Sequence, residues 1–190
     1  MIPCVTTIEK LVTVEEFARL PDPRDGGKME LVDGRVVVMS PVGRRHGQIA
    51  GYLYETIEEF VGEHALGEVG FEVGFRLVPG RQGVRAPDVH FVEASRVPGL
   101  PDDGFIDGPP TLAIEVISPE DRANDIQQKV NDYLAAGTTR VWVVEPKTKT
   151  VTVHHPGGDS HTFQSGETLA SGDAAFATAG FALPLDDLFA

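Results

Sequence analysis

Two acids in this chain stand where acids are costly. Asp88 follows Pro87 in a segment whose neighbours Val89, Phe91 and Val92 are apolar, and Glu115 is the one acid in the largely apolar run 111–117. A carboxylate withdrawn from water must be ion-paired, hydrogen-bonded or metal-bound. A structural salt bridge to an arginine or lysine would explain one such acid. Two of them in adjacent strands, followed by a helix presenting Asp125 and Lys129 at i,i+4 spacing, point to a shared site. Carboxylate oxygens suit a hard cation, Mg²⁺ or Mn²⁺, held partly by protein and partly by water. The order of these segments predicts that Asp88, Glu115 and Lys129 converge.

The elements that must position them are legible in the periodicity. Thr13 and Glu16 have capping-box spacing and open a short helix. Residues 29–39 read as a β-hairpin turning at Asp33-Gly34. Ile49, Leu53, Ile57, Phe60 and Val61 recur at three- and four-residue spacing, one face of an amphipathic helix over 46–61. Val69, Phe71, Val73, Phe75 and Leu77 alternate strictly with Glu68, Gly70, Glu72, Gly74 and Arg76, which predicts a strand over 69–77. A turn at 79–83 leads into a second strand over 84–92, and residues 93–110, with four prolines and three glycines, read as a long loop.

The run 111–117 then suits a strand buried on both faces. A helix follows from Asn124 or Asp125 to Ala136, with Gly137 placed to cap it. A buried strand over 141–144, a turn at Lys147–Lys149 and a strand over 151–154 come next, and an apolar tail over 181–189 should pack on the body. This order predicts a single domain spanning 1–190, an α/β or α+β fold on a mixed sheet flanked by helices.

A length of 190 residues suits one domain with a real core. Charged residues at 24% against 41% apolar exclude a disordered or fibrous chain. The lone cysteine, Cys4, excludes an intrachain disulfide and a cysteine-cluster zinc site. No apolar run approaches the roughly 20 residues of a membrane span, and Glu9 and Lys10 interrupt any signal-peptide core, so a cytoplasmic location is expected. A net charge of −13 runs against nucleic-acid binding, which rests on neutralising phosphates. Net charge does not describe the local field, however. Arg44, Arg45 and His46 lie together, and Arg76, Arg81 and Arg85 surround one turn. Each cluster reads either as a solvated turn or as part of a basic rim. Arg44, Arg45, Arg81 and Arg85 are the candidates for contacting phosphate.

Taken together, Glu30-Leu-Val-Asp-Gly34, Ser40-Pro41, His46, Pro87-Asp88-Val89, Glu115-Val-Ile-Ser-Pro119, Asp125, Lys129, Tyr133, Gly137 and Val141-Trp-Val-Val144 resemble the Uma family of bacterial endonucleases. That family lies within the PD-(D/E)XK superfamily, and the resemblance covers about residues 13–155. It implies a restriction-endonuclease-like fold, with the N-terminal hairpin and a C-terminal β-hairpin as additions. It also implies that Asp88 and Glu115 bind the metal, with the Val116 carbonyl as a further ligand. The superfamily's lysine would stand at 117, where this chain has Ile117; the resemblance assigns its role to Lys129 in the following helix. Glu30 would complete the acidic set, or else be a solvated strand residue. His46 would contact phosphate or tune the site, or else be a surface histidine at a helix start.

Neither a dinucleotide fingerprint nor a phosphate loop is present, and His154, His155 and His161 lack metal-ligand spacing. The leading expectation is a Mg²⁺- or Mn²⁺-dependent DNA endonuclease, acting as a homodimer because cutting both strands of a duplex favours two-fold symmetry. The competing one is a non-catalytic member of the same fold that binds nucleic acid or a protein.

Overall fold

The computed structural model describes residues 11–24, 26–77 and 83–190; Cys4, Arg81 and nearly all of the 79–83 turn lie outside them. Helix α1 (Val14–Phe17) is opened by both capping-box bonds. The Thr13 hydroxyl accepts from the Glu16 N–H and the Glu16 carboxylate accepts from the Thr13 N–H, each at 3.1 Å. Strands β1 (Lys28–Val32) and β2 (Arg35–Met39) form the expected hairpin. Asp33 and Gly34 both take positive φ, 48° and 78°, the turn geometry that an Asp-Gly pair favours. Along β1 the two-residue period turns Lys28 and Glu30 to the same face. Helix α2 (Arg44–Glu63) buries Ile49, Leu53, Ile57 and Val61 along one stripe.

The strand expected over 69–77 is two strands. Strand β3 (Gly67–Gly70) belongs to the main sheet, whereas β4 (Phe75–Arg76) leaves it. Between them Phe71 stands 60% exposed and Glu72 adopts φ 55°, its N–H donating to the Pro87 carbonyl at 3.1 Å. The glycines supplied the polar half of the alternation, but they are sites of close packing. A Cβ on Gly70 would meet the His90 ring at 2.6 Å, and one on Gly74 would meet Phe105 at 2.6 Å.

The second expected strand is likewise shorter. Strand β5 (Val89–Glu93) carries the pairing, while Val84 and Arg85 make only single bridges, to Leu31 and Phe75. Within the 93–110 segment lie a 3₁₀ turn at Val97–Gly99 and β6 (Ile106–Asp107), which pairs in parallel with β4.

Strand β7 (Leu112–Val116) is buried throughout, at the centre of the six-stranded sheet. It pairs antiparallel with β5 on one side and, after helix α3 (Ala123–Ala136), parallel with β8 (Arg140–Glu145) on the other. A parallel pair needs such a crossover, and α3 supplies it, ending at Gly137 with φ 108°. Strands β9 (Thr150–His154) and β10 (Ser160–Phe163) extend the sheet to the order β10-β9-β8-β7-β5-β3. The tail forms β11 (Thr168–Ala170), β12 (Ala182–Pro184) and helix α4 (Leu185–Leu188). As the sequence predicts, it packs inward, and Phe181, Leu183, Leu185, Leu188 and Phe189 join the core that α2 makes on one face of the sheet. On the other face α3 sets Val130 and Tyr133 against Ala113, Val141 and Val143.

His90 shows what the close packing at Gly70 does to a titrating group. Its ring stands edge-on to Phe75, with centroids 4.8 Å apart, and its buried Nδ1 has no hydrogen-bond partner among the described residues. Burial lowers its pKa from the ordinary 6.5 to about 4. The unfolded chain therefore binds a proton that the folded protein rejects between those values, so stability rises with pH across that window and levels off above it. The shift corresponds to roughly 3 kcal/mol. In chelator-containing buffer, urea midpoints of the parent should fall from pH 6.5 to pH 4 more steeply than those of His90→Gln. Parallel pH profiles would remove His90 as the cause.

Candidate functional site

The site is built where β1, β7, α2, α3 and the start of β5 meet. Asp88 immediately precedes β5, whose Val89 pairs with Ile114, so Asp88 and Glu115 issue from the same end of the β5–β7 pair. The Asp88 Oδ2 atom accepts from the Val116 N–H at 2.8 Å and from His46 Nε2 at 3.1 Å. Its Oδ1 atom takes the Lys28 ammonium at 2.6 Å, which also donates to the Ala86 carbonyl at 3.1 Å. Burial opposes ionisation of Asp88, but the His46 bond and the Lys28 charge outweigh it and hold the carboxyl well below the usual range. Lys28 is held charged in turn: burial works against its ammonium, and Asp88 and Glu115 overcome it.

Glu115 faces α3. Lys129 donates to its Oε2 at 2.7 Å and the Tyr133 hydroxyl to its Oε1 at 2.8 Å. These two donors are four residues apart on one helix face, as contact with a single carboxylate requires. Glu115 is nevertheless raised in pKa. Burial is the main cause, Lys129 works against it, and the neighbouring Asp88 charge adds to it. Burial likewise disfavours the Lys129 ammonium, but Glu115 and Glu30 reverse that and push its pKa up. Strongly perturbed carboxylates gathered side by side mark a candidate functional site.

Glu30 is buried, 1% exposed, and is not a solvated strand residue. Lys129 stands 3.2 Å from its Oε1 and Arg85 donates to its Oε2 at 2.7 Å. Those cations outweigh the burial that would raise it and lower its pKa. His46 is buried too, facing Asp88, and is not a surface histidine.

The basic residues divide. Arg44 and Arg45 are exposed at the start of α2, and Arg45 donates to the Phe189 and Ala190 carbonyls at 2.8 and 2.9 Å. Arg85, expected on a phosphate-binding rim, is interior at 5% exposure, its guanidinium bonded to Glu30 and Asp132. A buried acid, Glu30, and a half-buried one, Asp132, claim it, which the alternation around residue 85 did not reveal. Arg81 lies outside the described residues.

Lys28 was not singled out from the sequence, although its place two residues before Glu30 on one strand puts it on the same face. Tyr133 stood only as a motif residue, although its spacing from Lys129 carries the signal. Asp132 gave none.

A cavity of about 510 Å³ opens over this cluster; Lys28, His46, Asp88, Glu115, Val116 and Lys129 lie in its wall, with the end of β2 and the 118–122 loop at its mouth. Among the described residues no three His, Cys, Asp or Glu side chains are grouped as a metal site by themselves. Any divalent ion would therefore need backbone carbonyl and water beside the two carboxylates. No described helix is long and apolar enough to cross a membrane.

Residues 14–185 match the Uma2 family, described as "Putative restriction endonuclease". The chain belongs to the Uma2 family. A crystal structure of a "putative nuclease belonging to DUF820" from Anabaena variabilis has the same fold, with a TM-score of 0.76 at 23% identity, covering 94% of this chain and 97% of that one. No curated protein sequence matches significantly. The Uma2 member described here is thus nuclease-like in family and fold, a mixed sheet flanked by helices.

The Glu30–Arg85–Asp132 arm of the cluster generates a stability prediction. Replacing Glu30 with Gln leaves Arg85 and Lys129 short of a buried counter-charge. Guanidinium denaturation should show a loss of about 3–5 kcal/mol, the scale of breaking a buried ion pair from one side. A loss below about 1 kcal/mol, the scale of an exposed pair, would contradict the assignment.

Proposed function

We propose that this Uma2 protein is a Mg²⁺- or Mn²⁺-dependent DNA endonuclease that hydrolyses phosphodiester bonds at Asp88, Glu115 and Lys129. The observation that carries the reading is the gathering of two buried carboxylates and a buried lysine in the wall of one open cavity. Asp88, Glu115 and the Val116 carbonyl are hard oxygen donors that fit such an ion. Bound there, it would lower the pKa of the attacking water and offset phosphate charge. Lys129, held charged by Glu115 and Glu30, orients that water and stabilises the charge that develops on the phosphorus oxygens. His46 fixes the rotamer of Asp88, and Tyr133 does the same for Glu115. Glu30 keeps Lys129 in place from the hairpin.

The nucleic acid enters across the start of α2. Val42, Gly43 and His46 border the cavity there, and the first-turn amides have no side-chain cap. Those amides, Arg44 and Arg45 favour phosphate. In this reading residues 1–190 act as one domain, paired as a cytoplasmic homodimer so that two centres face the two strands. One feature favours the second reading, a non-catalytic member that binds nucleic acid or a protein. Ile117 occupies the superfamily's lysine position, so catalysis depends wholly on Lys129.

Replacing Glu115 with Gln keeps an acceptor for Tyr133 and removes the charge. Calorimetric titration should show Mn²⁺ binding lost, and plasmid cleavage should be lost with it. Equal Mn²⁺ affinity in variant and parent would take Glu115 out of the metal set, while metal binding without cleavage by the parent would promote the second reading. Removing Arg44 and Arg45 together should weaken DNA binding for all sequences alike. It should also lower the slope of log K against log salt by up to about 2, at unchanged Mn²⁺ affinity. Filter binding across a salt series measures this, and an unchanged slope would dissociate the two arginines from phosphate.

A further inference from the structure

The assignment above leaves Lys28 without a role, and its surroundings give it one. Its ammonium is held by two oxygens, Asp88 Oδ1 at 2.6 Å and the Ala86 carbonyl at 3.1 Å. These are the donor types that a hard cation selects. Asp88 Oδ2 is already taken by His46 and the Val116 N–H, and both oxygens of Glu115 are taken by Lys129 and Tyr133. Among the described residues Lys28 is the one partner of Oδ1.

The two lysines of the cluster are not equally held. Lys129 bridges Glu115 and Glu30, and its side chain is 11% exposed. Lys28 contacts one carboxylate, is 18% exposed, and lies at the first residue of β1 in the cavity wall. A dication brought to Asp88 would meet an ammonium on the same carboxylate, and at such distances like charges repel by several kcal/mol even at an effective dielectric of about 20. Lys28 has open cavity to move into, whereas Lys129 would have to abandon two buried acids.

We propose that Lys28 is a tethered counter-ion that closes the carboxylate site until a divalent cation displaces it, and that the displaced ammonium then takes up a phosphate of the nucleic acid. The inference rests on the metal-dependent reading of the same site. It couples the two ligands: metal binding releases a cation for phosphate, and phosphate binding keeps that cation from returning to Asp88. Coupling of this kind is reciprocal.

The test uses the full chain in three forms, parent, Lys28→Met and Lys28→Arg, each checked by its unfolding midpoint. Calorimetric titration with Mn²⁺ alone should show Lys28→Met binding tighter than the parent by on the order of tenfold or more, because the competing charge is gone. Lys28→Arg, which keeps the charge, should bind no tighter than the parent. Binding of a hydrolysis-resistant phosphorothioate duplex should then separate the states. With Mn²⁺, Lys28→Met should lose about one phosphate contact, a slope smaller by about 0.9 in log K against log salt. With chelator its slope should match the parent's.

Equal or weaker Mn²⁺ affinity in a folded Lys28→Met, or the same slope change with and without metal, would overturn the proposal. If neither parent nor Lys28→Met binds Mn²⁺, the metal-dependent reading falls as well. If Mn²⁺ binds equally to both, only the role of Lys28 falls.

Discussion

The pairing of Glu115 with Lys129 is the interaction around which this molecule is organised. Glu115 belongs to the most deeply buried strand of the sheet, at 2% exposure, and an isolated carboxylate there would be prohibitive. Lys129 satisfies it, but a lysine withdrawn from water needs more than one acid, and Glu30 supplies the second. Glu30 in turn draws in Arg85, and Arg85 draws in Asp132. A hairpin, a central strand, a crossover helix and the segment before β5 are thereby tied together by charge. Such a network specifies one arrangement because each partial version leaves a buried charge uncompensated.

The same constraint separates the net charge of −13 from the field around the cavity. Lys28, Arg85 and Lys129 are spent inside the cluster, neutralising the acids that the cavity needs. Outside it, Arg44 and Arg45 sit at the amino end of a twenty-residue helix, where the backbone adds its own positive end to theirs. The acidic excess is carried elsewhere, for example along the exposed part of α2 and through the 101–107 segment. Local field and total charge are different quantities, and here burial separates them.

Much of the scaffold was legible in the sequence. The Asp33-Gly34 turn, the Thr13–Glu16 cap, the stripe on α2, the buried β7 run and Gly137 at the end of α3 each follow from local chemistry that the sequence states outright. The failures share a cause. Residues 69–77 alternate as a strand does, but the alternation cannot tell a glycine that faces water from one pressed against His90 or Phe105. The break at Phe71 and Glu72 therefore left no trace in the pattern. In the same way, residue 85 reads as polar in a turn, whereas its guanidinium lies between two acids far away in sequence.

For the site, the sequence by itself determined two of the buried charges, Asp88 and Glu115, and left Glu30, His46 and Arg85 open or outside. An acid inside an apolar strand declares itself through its neighbours, so Asp88 and Glu115 could be found, and helical spacing was enough to put Lys129 on the same side. Tertiary structure alone decided which charge meets which. Glu30 and Lys129 are 99 positions apart in the chain yet 3.2 Å apart in space, and Lys28 reaches Asp88 across a separation of 60. Contacts of that kind carry no periodic signal. They exist because packing the hairpin beside the sheet and α3 against it leaves one arrangement in which every buried charge has a counter-charge.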